Sequence, residues 1–142
     1  MKLKLIIVML LATLFFKGVS QNPTPNINYE QTEKIDQKMP QFPGGDNAFY
    51  DYLDENVKLP EGFDAETYMK ENGNQFVPIS VAFTIDVDGS IINVKVIVGE
   101  DELLDEKAKQ IVKNMPKWNP GYRGGIPVKV QYAIPVRFNL RS

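Results

Sequence analysis

The sequence predicts an α+β protein with a small three-stranded antiparallel sheet and two helices on one face of that sheet. Within residues 76–99, apolar and polar side chains alternate over 79–85 and 92–98 on either side of a glycine-containing turn, which predicts a β-hairpin. Residues 126–140 alternate in the same way and predict a third strand. Two further segments have apolar residues at helical spacing. Alternation in every strand leaves one sheet face solvated, so we expect both helices on the other face.

Composition narrows the chemistry that the chain can perform. With 142 residues, 43% of them hydrophobic and 24% charged, it has the composition of one globular domain. It contains no cysteine and no histidine, which excludes disulfides, zinc or haem sites built on those ligands, and catalysis by Cys or His. No cluster of convergent polar residues stands out. We therefore expect no catalytic residues, no metal and no cofactor, and predict that the protein is not an enzyme.

The N-terminus, residues 1–20, has the pattern of a signal peptide. Two lysines precede twelve uncharged residues, 5–16, and the small residues Gly18 and Ser20 follow. Twelve apolar residues are too few for a membrane-spanning helix, which needs about 20. We expect cleavage after Ser20 and a periplasmic or exported protein. The alternative is an uncleaved anchor in the inner membrane, with the rest of the chain facing the periplasm.

The remaining chain divides into a polar tether and one domain. Residues 21–38 contain two prolines and too few apolar residues for a core, so we expect a disordered tether there. The domain then covers residues 39–142. Its first helix is predicted over 48–57, capped by Asp46 or Asn47. Residues 61–74 can form one or two helical turns, and we expect a surface excursion.

The hairpin has two registers that keep apolar residues opposite one another. A two-residue turn pairs Ile85 with Ile92 and Val81 with Val96, whereas a four-residue loop shifts these pairs by two residues.

Asp86 in the turn could suggest a calcium site, but the loop lacks the additional carboxylates of an EF-hand. We expect an ordinary turn.

The helix after the hairpin has one apolar stripe. Acidic residues at 100–102 suit its N-terminus, and lysines follow toward its end. The stripe consists of Leu104, Ala108, Ile111, Val112 and Met115. We expect Trp118, which follows this helix, to be buried between the helix and the sheet.

The last strand is expected at an edge of the sheet. Pro127 and Pro135 cannot donate hydrogen bonds to a ladder, which disfavours a central position. An edge strand can pair with another chain. The candidate partner-binding residues are Val128, Lys129, Val130, Gln131, Tyr132, Ala133 and Arg137.

Charge divides unevenly along the chain. Residues 105–142 contain eight basic and two acidic side chains, a net charge of +6, although the whole chain has a net charge of -2. The simpler interpretation is scattered, solvated charge. The functional interpretation is a basic surface near the last strand that attracts an acidic partner. Nucleic acid is an improbable partner for an exported protein that is acidic overall.

Several motifs resemble the TonB C-terminal domain family, and they occur in the family's order between residues 39 and 140. They are Met39-Pro40-x-Phe42-Pro43-Gly44-Gly45, Asp86-Val87-Asp88-Gly89, Leu104-Asp105 with Ala108, Met115-Pro116-Lys117-Trp118-x-Pro120-Gly121, and Pro135-Val136-x-Phe138. The resemblance implies a small periplasmic α+β domain. It also implies that the last strand, 126–139, pairs with the TonB-box peptide of an outer-membrane receptor.

The chain also departs from that family. It lacks the long Pro-rich spacer of a complete energy transducer, residues 61–74 resemble an insertion, and Phe76-Val77-Pro78 stands where the family tends to have a glycine. We therefore expect a stand-alone binding domain that adds a peptide strand to its sheet, with a role in energy-dependent transport. The alternative is a structural subunit of an envelope assembly with no role in transport. In that case the same edge is filled by another subunit or by a second copy in a homodimer.

Overall fold

The computed structural model of the protein describes residues 36–141, which contain six strands and three helices. The strands are β1 (Gln37–Lys38), β2 (Phe76–Ile85), β3 (Ile91–Val98), β4 (Gly121–Arg123), β5 (Ile126–Val128) and β6 (Val130–Asn139). The helices are α1 (Gly45–Asn56), α2 (Ala65–Asn72) and α3 (Glu102–Lys113). The α+β class is thus confirmed. The predicted signal peptide, 1–20, and residues 21–35 of the predicted tether lie outside the described residues.

The main sheet has the strand order β3-β2-β6, and its neighbouring strands are antiparallel. Strands β2 and β6 pair without interruption from Phe76 opposite Asn139 to Ile85 opposite Val130. The last strand therefore lies beside one strand of the hairpin, as predicted. Strand β2 is central, and β6 forms one edge of the sheet.

The hairpin register changes along its length. Val81 lies opposite Val96, as the two-residue turn predicts, but nearer the turn Ile85 lies opposite Ile91. The predicted pair of Ile85 with Ile92 is wrong because β3 contains one extra residue in this region. Asn93 has a φ of 54°, in the left-handed region that asparagine tolerates better than most residues. The extra residue thus forms a β-bulge.

A second, smaller sheet corrects the predicted single strand over 126–139. Lys129 separates β5 from β6, and β5 instead pairs with β4 in a sheet of order β1-β4-β5. Gly124 and Gly125 form the two-residue turn between β4 and β5, with φ values of 58° and 78°. Both central residues of a type I′ turn need positive φ, which glycine adopts at little cost. Strand β1, the end of the predicted tether, pairs with β4.

Helices α1 and α3 pack on the main sheet through one hydrophobic cluster. All five residues of the predicted stripe of α3 are buried. The same cluster contains Phe49 and Leu53 of α1, Val81 and Phe83 of β2, and Val94 and Val96 of β3. Tyr52 of α1 donates its hydroxyl proton to the Ile111 carbonyl of α3 at 2.8 Å. The two helices therefore share one core with the sheet.

The helix termini differ in how they are capped. The expected side-chain cap of α1 is wrong, because α1 begins at Gly45 after Gly44, which has a φ of 89° and no side chain to accept a hydrogen bond from the first turn. Helix α2 occupies part of the predicted surface excursion. Its N-cap, Asp64, accepts hydrogen bonds from the backbone and side chain of Thr67, which hold the pKa of Asp64 below its usual value.

Trp118 is buried with 7% of its surface exposed, as predicted. Its ring lies 5.9 Å from Phe83 and 5.6 Å from Tyr132, between centroids. Its Nε1 atom is buried and has no hydrogen-bond partner among residues 36–141, so its side chain contributes packing contacts. The backbone N–H of Trp118 donates to the Gly89 carbonyl at 2.9 Å. This bond ties the hairpin turn to the segment that precedes β4.

Replacing Gly89 by alanine tests that contact. Gly89 and Gly62 both have a φ of 85°, but a Cβ at Gly89 would overlap the Trp118 carbonyl oxygen, whereas nothing lies within 4 Å of a Cβ at Gly62. We expect Gly62→Ala to lower the free energy of unfolding by about 1–2 kcal/mol, the cost of left-handed backbone. Gly89→Ala should lower it by about 1–3 kcal/mol more, because of the overlap. Urea unfolding of both variants checks the difference, and equal losses would contradict the close contact.

Candidate functional site

Two prolines reveal which backbone groups of β6 face the edge of the sheet. Ser80 lies opposite Pro135, and Pro78 opposite Arg137. In an antiparallel ladder, opposing residues alternately exchange two hydrogen bonds or none, and a proline cannot take part in an exchanging pair. These pairs are therefore of the non-bonded kind. Even-numbered residues of β6 thus direct their N–H and C=O groups toward β2, and odd-numbered residues direct theirs away.

A hydrogen bond just beyond the strand supports the same assignment. Leu140 donates its backbone N–H to the Gln75 carbonyl at 2.9 Å, and this pair continues the β2–β6 register. The outward N–H donors before Pro135 are those of Gln131 and Ala133. Pro135 occupies an outward position, so its missing N–H removes no bond to β2. No strand of residues 36–141 pairs with this side of β6.

The other sheet edges are less regular. Strand β3 has two register shifts along its pairing with β2, and bulges of this kind impede edge-to-edge pairing. In the second sheet, Pro127 lies opposite Tyr122, so by the same argument β5 has no N–H at its outward position. Strand β6 is therefore the edge strand that pairs with its neighbour without any register shift.

The structure divides the predicted binding residues between the two sheets. Val128 is the last residue of β5 and lies opposite Gly121, and Lys129 lies between β5 and β6. Lys129 Nζ is 3.8 Å from Asp86 Oδ1. The Lys129 side chain is exposed and the Asp86 side chain is partly exposed, and ion pairs at such positions contribute little to stability.

The other predicted residues lie on β6, on alternating faces of the sheet. Gln131, Ala133 and Arg137 are exposed, whereas Tyr132 packs on the core. The guanidinium of Arg137 stands over the Phe76 ring, 4.6 Å from its centroid. Val130 is partly buried at the start of the strand. Gln131, Ala133 and Arg137 thus all lie on the solvated face of β6, with the Arg137 guanidinium directed toward Phe76 of β2.

The turn of the hairpin is internally hydrogen-bonded. Ser90 donates from its backbone N–H and its hydroxyl to Asp88 at 2.9 Å and 2.8 Å, and these bonds hold the pKa of Asp88 below its usual value. Lys117 Nζ lies 3.4 Å from the same carboxylate. Within residues 36–141, no group of three or more carboxylates is arranged to hold a metal ion.

A small pocket on the helix side of β6 was not predicted. It has a volume of about 220 Å³. We call it the Tyr132 pocket. It is lined by Pro40, Gln41, Phe42, Asp46, Phe49, Tyr50, Trp118, Tyr132 and Ile134. The Tyr132 hydroxyl donates to the Pro40 carbonyl at 3.5 Å. Burial raises the pKa of Tyr132, and the nearby charge of Asp46 raises it further. The sequence feature that could have pointed to this pocket is that Pro40, Phe42 and Trp118 all belong to the family motifs.

A small α+β domain with an open, regular terminal strand is a class of protein suited to strand addition. The family model described as the C-terminal part of the Gram-negative bacterial TonB protein matches residues 70–140. The chain belongs to the TonB C-terminal domain family, which confirms the resemblance in its motifs. This membership supports a TonB-like periplasmic domain whose family acts in protein interaction.

Among solved structures, the chain is similar to the NMR solution structure of the Helicobacter pylori TonB-CTD. The two chains are 20% identical, the match covers 68% of this chain and 94% of that one, and the TM-score is 0.41. No curated protein matches the sequence. Between residues 36 and 141, no helix is long and apolar enough to cross a membrane.

Amide hydrogen exchange tests the assignment of the edge. Tyr132 and Ile134 should exchange slowly, because their N–H groups face β2, whereas Gln131 and Ala133 should exchange quickly at the open edge. The measurement is residue-resolved exchange by NMR on the free, monomeric domain. Protection of the odd-numbered residues, or equal protection along β6, would contradict the orientation derived from the prolines.

Proposed function

We propose that the protein is an exported, periplasmic binding domain that pairs β6 with an extended peptide. The peptide belongs to an outer-membrane receptor or another envelope protein, and the pairing serves energy-dependent transport. One observation carries this proposal: β6 is held by β2 through an uninterrupted register and directs the N–H groups of Gln131 and Ala133 away from the sheet. Membership of the TonB C-terminal domain family supports it.

The mode of binding is strand addition. Backbone hydrogen bonds to an incoming strand give affinity, and side chains on alternate faces give specificity. The C=O groups of the odd-numbered residues remain available beside the two N–H groups, and that includes the carbonyl of Pro135. The candidate contact residues are accordingly Val130, Gln131, Tyr132 and Ala133, with Val128, Lys129 and Arg137 at either end.

The N-terminal part of the chain has a place in this proposal. Residues 1–20 direct export as a signal peptide that is removed after Ser20, and the polar segment that follows tethers the domain. The domain itself comprises residues 39–142. Mass analysis of the exported protein tests the cleavage, since retention of Met1 would favour an inner-membrane anchor.

A matched pair of proline variants tests strand addition. Ala82 and Ala133 lie opposite one another, but Ala82 belongs to the central strand and Ala133 to the edge. Ala133→Pro removes an outward donor and no bond to β2, so the fold should remain and binding should be lost. Ala82→Pro removes a donor directed toward β3 and should destabilise the fold, because a proline in the middle of a sheet removes a ladder hydrogen bond. Circular dichroism follows the fold, and titration calorimetry follows binding.

The ligands for this test are synthetic peptides from the periplasm-facing N-terminal segments of outer-membrane receptors. Ala133→Gly keeps the N–H and is the control for the side chain. An intact Ala133→Pro domain that binds as tightly as the original would remove the proposal, and so would its unfolding. If size-exclusion chromatography shows a dimer that Ala133→Pro dissociates, the edge is filled by a second copy and the structural-subunit alternative replaces the proposal.

Reversing the charge of Lys129 tests electrostatic attraction. Because residues 105–142 have a net charge of +6, an acidic peptide should associate faster at low salt than a neutral one. Lys129→Glu should slow association several-fold, and the difference should fade near 1 M salt, where the screening length is about 3 Å. Stopped-flow mixing measures the rate. Lys58→Glu is an equal change of charge after α1, and an equal slowing by both variants would contradict a local effect.

A further inference from the structure

We propose that the peptide paired with β6 inserts one lysine or arginine side chain into the Tyr132 pocket. This inference rests on the proposed strand addition. It names the kind of peptide side chain for which the strand addition would be specific. Tyr132 and Ile134 line both the pocket and the core side of β6. The pocket therefore lies beside the strand that is proposed to pair with the peptide.

The walls of the pocket are aromatic faces and edges. Trp118 lies 5.6 Å from Phe42, 5.7 Å from Phe49 and 5.6 Å from Tyr132, between ring centroids. The rings of Phe42 and Phe49 are 5.5 Å apart. A volume of about 220 Å³ suits one side chain and not a folded segment. A cation near the faces of Trp, Tyr or Phe is attracted by the ring quadrupole.

Two groups of the pocket, the Asp46 carboxylate and the Pro40 carbonyl, favour a positive charge. Asp46 is the one charged residue in the lining, and it acts on Tyr132 strongly enough to contribute to the raised pKa of that phenol. The Pro40 carbonyl accepts from the Tyr132 hydroxyl and has a second lone pair available. The lining has no lysine or arginine. A carboxylate and a carbonyl beside aromatic rings form a site for an ammonium or guanidinium group.

The geometry of strand addition directs a side chain into this pocket. An added strand would lie about 4.8 Å beyond β6, and its side chains would alternate between the two faces of the sheet. In an antiparallel pair, the residue opposite Tyr132 would occupy a non-hydrogen-bonded position, with Cα atoms about 4.5 Å apart. Its side chain would share the helix side of the sheet with Tyr132. Neighbouring residues of the peptide would lie on the other, solvated face, opposite Gln131 and Ala133, so one peptide can be acidic overall and still carry a basic residue here.

Selection from a peptide library tests the inference. The probes are blocked octapeptides of random sequence, selected on the immobilised domain and on its Asp46→Asn, Asp51→Asn and Ala133→Pro variants. Asp51→Asn is the matched control, because Asp51 is an exposed carboxylate of the same helix and does not line the pocket. We expect Lys or Arg at one fixed position on the original domain and on Asp51→Asn. That preference should weaken on Asp46→Asn, and Ala133→Pro should enrich nothing.

Titration of one selected peptide supplies a quantitative readout. Its dissociation constant should rise about two- to fivefold with Asp46→Asn, as expected for loss of an ion pair with an exposed carboxylate, and stay unchanged with Asp51→Asn. Trp118 is the only tryptophan, so its single indole resonance in an ¹⁵N NMR spectrum should shift as the pocket fills. Replacement of the basic residue of the peptide by norleucine should reduce both the effect of Asp46→Asn on the dissociation constant and the shift of the indole resonance.

The possible failures separate the two proposals. Selected peptides that need Ala133 but share no basic position would overturn the inference and leave strand addition intact. An apolar residue at that position, or a basic one unaffected by Asp46→Asn, would also overturn the inference. Peptides selected equally well by Ala133→Pro would overturn strand addition and, with it, the inferred route into the pocket. Failure of any peptide to bind would overturn both.

Discussion

The pairing of β2 with β6 is the interaction on which the remaining structure depends. Its register is unbroken over the whole length of both strands. In such a ladder, side chains alternate between the two faces of the sheet and backbone groups alternate between the two neighbouring sides of the strand. Both alternations repeat every two residues. Even-numbered residues of β6, such as Val136 and Phe138, therefore bury their side chains and also bond to β2. Odd-numbered residues have solvated side chains and outward backbone groups, so the open edge and the core use different residues of one strand.

Trp118 connects this sheet to the pocket beside it. Its backbone bonds to Gly89 in the hairpin turn, while its ring contacts Phe83 of the central strand and Tyr132 of the edge strand. The aromatic wall of the Tyr132 pocket is thereby fixed by the same contacts that close the core. A side chain that entered the pocket would meet a wall already packed in the core, and such preorganisation would lower the cost of ordering on binding.

The sequence predicted the elements that have a period. The alternation in β2, β3 and β6 and the stripe of α3 were confirmed because burial on one face imposes a pattern over eight or more residues. Strands β1, β4 and β5 have two or three residues each, which is too short for a pattern. The bulge at Asn93 was missed for another reason: apolar residues flank it on both sides, so either register satisfied the alternation. The pocket was missed because its residues come from four separate segments.

Strand addition by itself offers β6 little means of choosing a partner. The outward donors before Pro135 are those of Gln131 and Ala133, and each hydrogen bond contributes a net of only about 0.5–1.5 kcal/mol. Backbone groups are also the same in every peptide, so they fix the position of a strand without reading its sequence. Discrimination must then come from side chains that meet β6 on its two faces. The solvated face carries Arg137 and the helix face carries the Tyr132 pocket with Asp46. A peptide that paired with β6 in the proposed way would fit both faces best with a basic side chain toward Asp46 and acidic side chains on the solvated face.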